Sequence, residues 1–330
     1  MPTDPRLEDG LRALRSRAVV VDLTDRGSLA VAGTDAAEFL NGLVTNDVKA
    51  LRPGAGCHAA LLSPKGKMRA ELAVLRTDAE LLLDCEPSLV APLVAILSGY
   101  VPFSRSALED RTAATGVVHV EGPAAPAVLR AAGLGEPSPE PYAHHEAAVD
   151  GAAVRVVRVT RAGETGFALL ASRDNTARVA GLLARHGASP AAPPVLEAGR
   201  VEAGIPRWGA ELDESVLPNE AWLERTAISY AKGCYLGQET VARLKAYGHV
   251  NRHLVALLLP PGCPAGPGDA VRAGTEKVGA VTSAADSPLH GRRVALGFVR
   301  REHESPGTLL SVETPSGEVE AVVAAVPLGR

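Results

Sequence analysis

A chain of 330 residues is long for one hydrophobic core and implies two or three compact units. Its 46% hydrophobic and 22% charged content is that of a soluble globular protein, and with only 3% aromatic residues Ala, Val, Leu, Gly and Pro must fill the core. A net charge of −4 argues against nucleic acid or an acidic membrane surface as the main partner, and residues 251–330 hold eight basic and eight acidic side chains, so the excess of acid lies in residues 1–250.

Leu7, Leu11 and Leu14 recur at helical spacing and predict a short amphipathic helix. Two strand-like runs come next, 19–23 and 28–33, joined by the turn-prone Thr24–Gly27. Asp35 and Glu38 read as a D-x-x-E cap on a helix through Phe39, Leu40 and Leu43, which stops near Thr45-Asn46-Asp47. Residues 57–112 read as strand, hairpin, strand, helix, strand, with the hairpin turning at Pro64-Lys65-Gly66-Lys67. In the helix PSLVAPLVAIL, Pro87 suits the first turn, and Pro92 is expected to bend or shorten the helix.

A weak internal repeat stands out. Val31-x-Gly33-x-x-Ala36-x-x-Phe39-Leu40 recurs 89 residues later as Val120-x-Gly122-x-x-Ala125-x-x-Val128-Leu129. Two related α+β units explain it economically, and chance matching of small residues in an alanine-rich chain is the alternative. Residues 135–149 form a proline-rich connection in which His144 and His145 read as solvated loop rather than metal ligands. Alternation in AAVRVVRVTRAGETGFALLAS predicts a hairpin turning at Ala162–Gly166. A capped helix ends at Gly187, SPAAPP breaks the chain, and a second helix runs from Val195 to Gly204. From Pro260 the texture changes to short strands, which predict a small antiparallel barrel or sandwich.

The four cysteines, Cys57, Cys85, Cys234 and Cys263, are far apart and form no C-x-x-C, which suits a reducing compartment and argues against a structural zinc. The N-terminus has no apolar core of a signal peptide, and no apolar run approaches a membrane span, so the cytoplasm is the expected location. Glycine-rich phosphate loops, GxSxG and HExxH are absent. The chemistry instead concentrates in ISYAKGCYLGQETVARLKAYGH, residues 228–249. Lys232 precedes Cys234 by two residues, Gly233 and Gly237 force a tight turn, and Gln238-Glu239 open a helical pattern. A thiol ahead of a helix start and beside a lysine has its thiolate favoured. A tight loop whose cysteine only fills space is the other reading.

KGCYLGQE resembles the signature of the YgfZ/GcvT folate-binding family, in particular the YgfZ branch linked to iron–sulfur protein maturation. The likeness extends to Leu43-x-Thr45-Asn46-Asp47-Val48, to Leu62-x-Pro64-Lys65-Gly66-Lys67, to GETGF at 163–167 and to Arg200-Val201-Glu202-Ala203-Gly204-Ile205-Pro206, and so covers nearly the whole chain. The resemblance implies a three-lobed α+β fold with two related lobes and a C-terminal antiparallel β-barrel. The folate-binding region is then 1–250, with soft internal boundaries near 52 and 113 and interleaved lobes, and the barrel is 251–330.

It also implies roles. A pterin ring offers N3–H and a 2-amino group side by side, which one carboxylate accepts in bidentate fashion. Glu164 matches the family glutamate that holds the pterin, Arg200 looks like a second ligand contact, and Trp208 falls where aminomethyltransferases have a tyrosine in the folate pocket. Those enzymes carry Gly-Gly-Φ-Φ-Asp-Asp, whereas here the stretch is Gly66-Lys67-Met68-Arg69-Ala70-Glu71. Glu71 stands in for the second aspartate, so methylene transfer of the glycine-cleavage type is in doubt. Cys234, Lys232 and Gln238 are the distinguishing group, suited to thiol chemistry beside tetrahydrofolate or to contact with iron–sulfur proteins or cluster carriers. The expected function is a tetrahydrofolate-binding protein supporting iron–sulfur assembly or repair. A folate-dependent one-carbon transferase or demethylase, with Glu71 as acid and base, is the alternative, and a folate-gated binding module is a third.

Overall fold

The computed structural model describes residues 5–326. The chain opens with α1 (Pro5–Ser16) and β1 (Val19–Asp22), then builds a lobe from β2 (Gly27–Gly33), α2 (Ala36–Asn41), β3 (Gly56–Leu62), β4 (Met68–Arg76), β5 (Glu80–Cys85), α3 (Val90–Ser98) and β6 (Ser106–Asp110). It next returns to β1 with β7 (Thr115–Glu121), α4 (Ala125–Ala131), β8 (His144–Val149), β9 (Ala152–Arg158), β10 (Gly166–Ser172), α5 (Thr176–Arg185), β11 (Ser189–Pro190) and α6 (Pro193–Ala203). One sheet has the order β3-β4-β5-β2-β6 and the other β11-β1-β7-β10-β9-β8.

Two glycines explain the repeat. Gly33 and Gly122 close equivalent strands, β2 and β7, at φ of +120° and +139°. A Cβ would lie 2.2 Å from the Arg105 carbonyl oxygen at the first and 2.4 Å from that of Arg17 at the second, so only glycine fits. Each strand then leads into a short helix, and β8-β9-β10-β7-β1 repeats the order β3-β4-β5-β2-β6. In the larger sheet, however, the strand beside β7 is β1, from before the other lobe, with β11 beyond it. The lobes therefore part near 24 and near 113. The expected boundary near 52 instead cuts a single sheet, since β2 pairs with β5 and β6 beyond it.

Each sheet buries one face on its helices. Leu29, Val31, Leu61, Leu72 and Leu83 meet Leu40, Leu93 and Leu97 in one core, and Val118, Val120, Val156 and Leu169 meet Leu129, Val179 and Leu183 in the other. Losing one such leucine to alanine costs about 2–5 kcal/mol. Three local expectations change. Asp35 makes no cap bond to α2, because its carboxylate accepts from Arg105 instead. Pro92 leaves α3 intact, since it falls in the first turn, where its missing N–H has no partner to lose. His144 is strand rather than loop and is buried, while His145 points the other way and bonds the Leu134 carbonyl.

The C-terminal strands β12 (Arg252–Leu259), β13 (Ala270–Ala273), β14 (Glu276–Ser287), β15 (Arg292–Arg300), β16 (Leu309–Thr314) and β17 (Gly317–Ala324) close into an antiparallel barrel of order β12-β15-β14-β13-β16-β17. Residues 205–250 carry α7 (Gln238–Tyr247) and short 3-10 turns. They act as mortar: Leu212, Val216, Leu223, Ile228 and Val241 pack with Leu62 and Met68 of the hairpin and Leu254 and Phe298 of the barrel.

Candidate functional site

A cavity of about 1570 Å³ lies where the two lobes, the barrel connection and α6 meet. Its wall draws His58 and Glu71 from one sheet, Tyr142 and Glu164 from the other lobe, and Trp222, Arg225 and Thr226 from the connecting segment. Glu71 reaches it because alternate residues of β4 turn from the core. Its Oε1 is 2.8 Å from Nε2 of His58, whose Nδ1 is 3.1 Å from the Thr226 hydroxyl. Glu71 lies opposite Ala60 across the hairpin, so His58, two residues from Ala60, shares its face. That parity was available in the sequence, yet His58 is absent from the expected site.

Glu164 sits in the loop between β9 and β10. Arg15 of α1 donates from Nη1 to its Oε1 at 3.1 Å and from Nη2 to Glu202 at 2.6 Å. The loop is shaped from beneath by Glu121, which is fully buried. Its carboxylate accepts N–H groups of Arg161 (2.7 Å), Ala162 (2.9 Å) and Glu164 (2.9 Å), the Thr160 hydroxyl (2.7 Å) and a bond with Nε2 of His119 (2.6 Å). Burial works against its charge, but His119 and these donors hold the carboxyl below its ordinary range. Burial likewise pushes the His119 imidazole down, against the pull of Glu121.

Arg200 also borders the cavity, but its guanidinium is committed. Nε and Nη2 donate to Glu197 at 2.7 and 2.5 Å, Nη1 to Glu211 at 2.8 Å and to the Ile205 carbonyl at 3.2 Å, and Nη2 to Ser283 at 2.7 Å. A guanidinium has five N–H donors, and these bonds use them all. In this structure it ties α6 to the barrel rather than offering a donor to a ligand. Trp208 packs between the core of the β3-β4-β5-β2-β6 lobe and the connecting segment, outside the cavity lining. Trp222 is the tryptophan on the wall.

The KGCYLGQE loop folds away from the cavity lining. Cys234 is exposed. Lys232 does not face it: its buried Nζ donates to the carbonyls of Asn41 (2.5 Å), Val44 (2.6 Å) and Asn46 (3.0 Å) at the end of α2. Burial draws this ammonium down to about 8. The lysine therefore caps a helix end, as cations there do, and the expected activation of Cys234 by Lys232 is not built. Gln238 is the first residue of α7, likewise outside the lining. A Cβ on Gly237 would lie 2.4 Å from the Ser63 carbonyl oxygen and one on Gly66 2.7 Å from the Thr240 Cβ, so this loop and the 63–67 turn interlock.

Tyr142 is the other residue the sequence reading missed. It adopts φ +62°, rare for an aromatic residue, and faces His58 with ring centroids 6.1 Å apart. Gly56 makes room for it, since a Cβ there would be 2.9 Å from that of Tyr142. Among the described residues no group of three or more His, Cys, Asp or Glu is arranged to hold a metal, and no helix is long and apolar enough to cross a membrane.

Residues 3–231 match the GCVT N-terminal domain, and residues 252–328 match the glycine cleavage T-protein C-terminal barrel domain. The chain belongs to the glycine cleavage T-protein family. Among relatives of this T-protein-family chain, an aminomethyltransferase of Saccharopolyspora erythraea is 30% identical over 325 residues, covering 96% of this chain and 88% of that one. A chloroplastic protein of Arabidopsis thaliana is 28% identical over 322 residues, covering 97% and 73%. Among solved structures, the glycine cleavage system aminomethyltransferase T from Bartonella henselae superposes with a TM-score of 0.86 over 97% of this chain and 89% of that one, and at 21% identity this is a likeness of fold.

Proposed function

We propose that this T-protein-family chain binds tetrahydrofolate or a derivative in the junction cavity. The observation that carries the reading is that Glu164 and Glu71, from different lobes, open into the same cavity. The volume is ample, since pockets for drug-sized ligands span roughly 300–1,000 Å³. The Glu164 carboxylate, braced by Arg15 on Oε1, suits the paired donors of a pterin edge. Bound folate supplies the one-carbon carrier chemistry. The chain's own residues orient it, exclude water, and at the Glu71 carboxylate hold a proton-accepting site steadied by His58.

Within this reading we propose that the protein belongs to the YgfZ branch and supports assembly or repair of iron–sulfur proteins through Cys234. The support is accessibility: an exposed thiol outside the cavity lining suits a macromolecular partner better than a cavity ligand. One thiol cannot hold a cluster, which takes about four ligands, so the remaining ligands come from the partner. A one-carbon transferase is the second reading, favoured by the Glu71–His58 pair inside the cavity.

Anaerobic calorimetric titration with tetrahydrofolate tests the binding. Saturable binding that weakens at least tenfold in Glu164→Gln is expected, and no binding to the wild-type protein would sink the reading. Cys234→Ala should keep folate affinity while lowering iron–sulfur enzyme activities in cells. Unchanged activities, with methylene transfer to tetrahydrofolate that is lost in Glu71→Gln, would favour the transferase instead.

A further inference from the structure

The cavity wall carries many arginines, and almost all are spoken for. Arg26 and Arg161 donate to Asp84, Arg158 to Glu136 and the Ser138 carbonyl, Arg207 to Glu197, and Arg200 to Glu197 and Glu211. Arg225 differs. Its guanidinium finds no hydrogen-bond acceptor among the described residues, although it lines the cavity. It lies instead over the indole of Trp222, with Cζ 4.2 Å from the ring centroid.

That indole is itself fixed. Trp222 takes φ +60°, a left-handed conformation that is strained for a bulky residue. Its Nε1 donates to the Leu254 carbonyl at 2.8 Å, and its ring stacks on His253 of β12 at 4.0 Å with a 10° interplanar angle. His253 is held in turn by Glu304. The strained backbone thus delivers an aromatic platform anchored to the barrel, and the platform orients a cation. The neighbouring acid, Glu224, makes no hydrogen bond to that cation: its Oε2 is buried without a partner, and burial pushes its carboxyl up although the nearby charge of Arg225 draws it down.

We infer that Arg225, laid on the Trp222 platform, is a subsite for the carboxylate tail of the cavity ligand. A planar guanidinium with its donors unspent matches a carboxylate in bidentate fashion. Thr226, the next residue, touches His58, which holds Glu71. The subsite is therefore continuous with the wall that carries Glu71. The inference rests on the folate reading, in which the ligand ends in a glutamate that needs such a cation.

The test compares two probes of the same ring system. Tetrahydrofolate carries the glutamate, and 6-methyltetrahydropterin carries no carboxylate. Arg225→Gln should weaken tetrahydrofolate about tenfold, the value of one charge-assisted contact, and leave 6-methyltetrahydropterin unchanged. Arg225→Lys, which keeps the charge but not the fork, should fall between. If Arg225→Gln weakens both probes alike, or neither, the subsite is refuted while the folate reading stands. If the wild-type protein binds neither probe, the folate reading fails and takes this inference with it.

Discussion

Replacing Glu121 by glutamine changes almost no volume but removes an acceptor that organises the Glu164 loop. If the new amide nitrogen takes the place of Oε1, it confronts the N–H groups of Ala162 and Glu164. If it takes the place of Oε2, His119 can accept from it by switching tautomer, but the Arg161 N–H is left alone. One or two buried N–H groups are orphaned either way, at about 1–3 kcal/mol each, and the surviving bonds lose their charge assistance. The expected loss is about 2–4 kcal/mol, read from guanidinium chloride unfolding. Tetrahydrofolate affinity should drop as well, because the released loop carries Glu164. A loss below about 1 kcal/mol with unchanged folate affinity would refute the claim that Glu121 holds this loop.

Lys232→Met should cost about 2–4 kcal/mol, because three buried carbonyls lose their donor. The wild-type site also has a pH signature. Its folded ammonium titrates at about 8 against an ordinary 10.5, so the unfolded chain holds the proton more tightly in that window and stability rises with pH from about 8 toward 10.5. Unfolding curves across that range should show the rise in the wild-type protein and not in Lys232→Met. His144 works at the acidic end. Burial, then the charge of Arg155, lowers it from 6.5 to about 4. The unfolded chain is protonated first, so stability falls as pH drops from 6.5 toward 4, and His144→Gln should flatten that part of a plot of Tm against pH.

Much of this architecture was legible in the sequence because it rests on local rules. Gly33 and Gly122 each mark a turn that a side chain would block, and the texture change after Pro260 marks the barrel. The interleaving was less accessible: β1 pairs with β7 nearly a hundred residues on, and no local pattern records that pairing. The site was harder still. Sequence adjacency put Lys232 beside Cys234, but the ammonium runs inward to the end of α2 while the thiol faces out. Arg200 sits in a motif, yet nothing in the motif reveals that Glu197, Glu211 and Ser283 converge on it from three segments. Tyr142 hid in a proline-rich connection, where an inserted ring leaves no periodic trace. His58 needed only the count of alternate residues across the hairpin from Glu71.

The central claim is that one cavity, walled by both lobes, receives the folate. Hydrogen exchange read by mass spectrometry, with and without saturating tetrahydrofolate, tests this most directly. Slowed exchange is expected together in residues 56–60, 69–73 and 160–166, which approach the cavity from opposite lobes. Protection confined to residues 232–245, or none in the first three segments despite bound ligand, would contradict it.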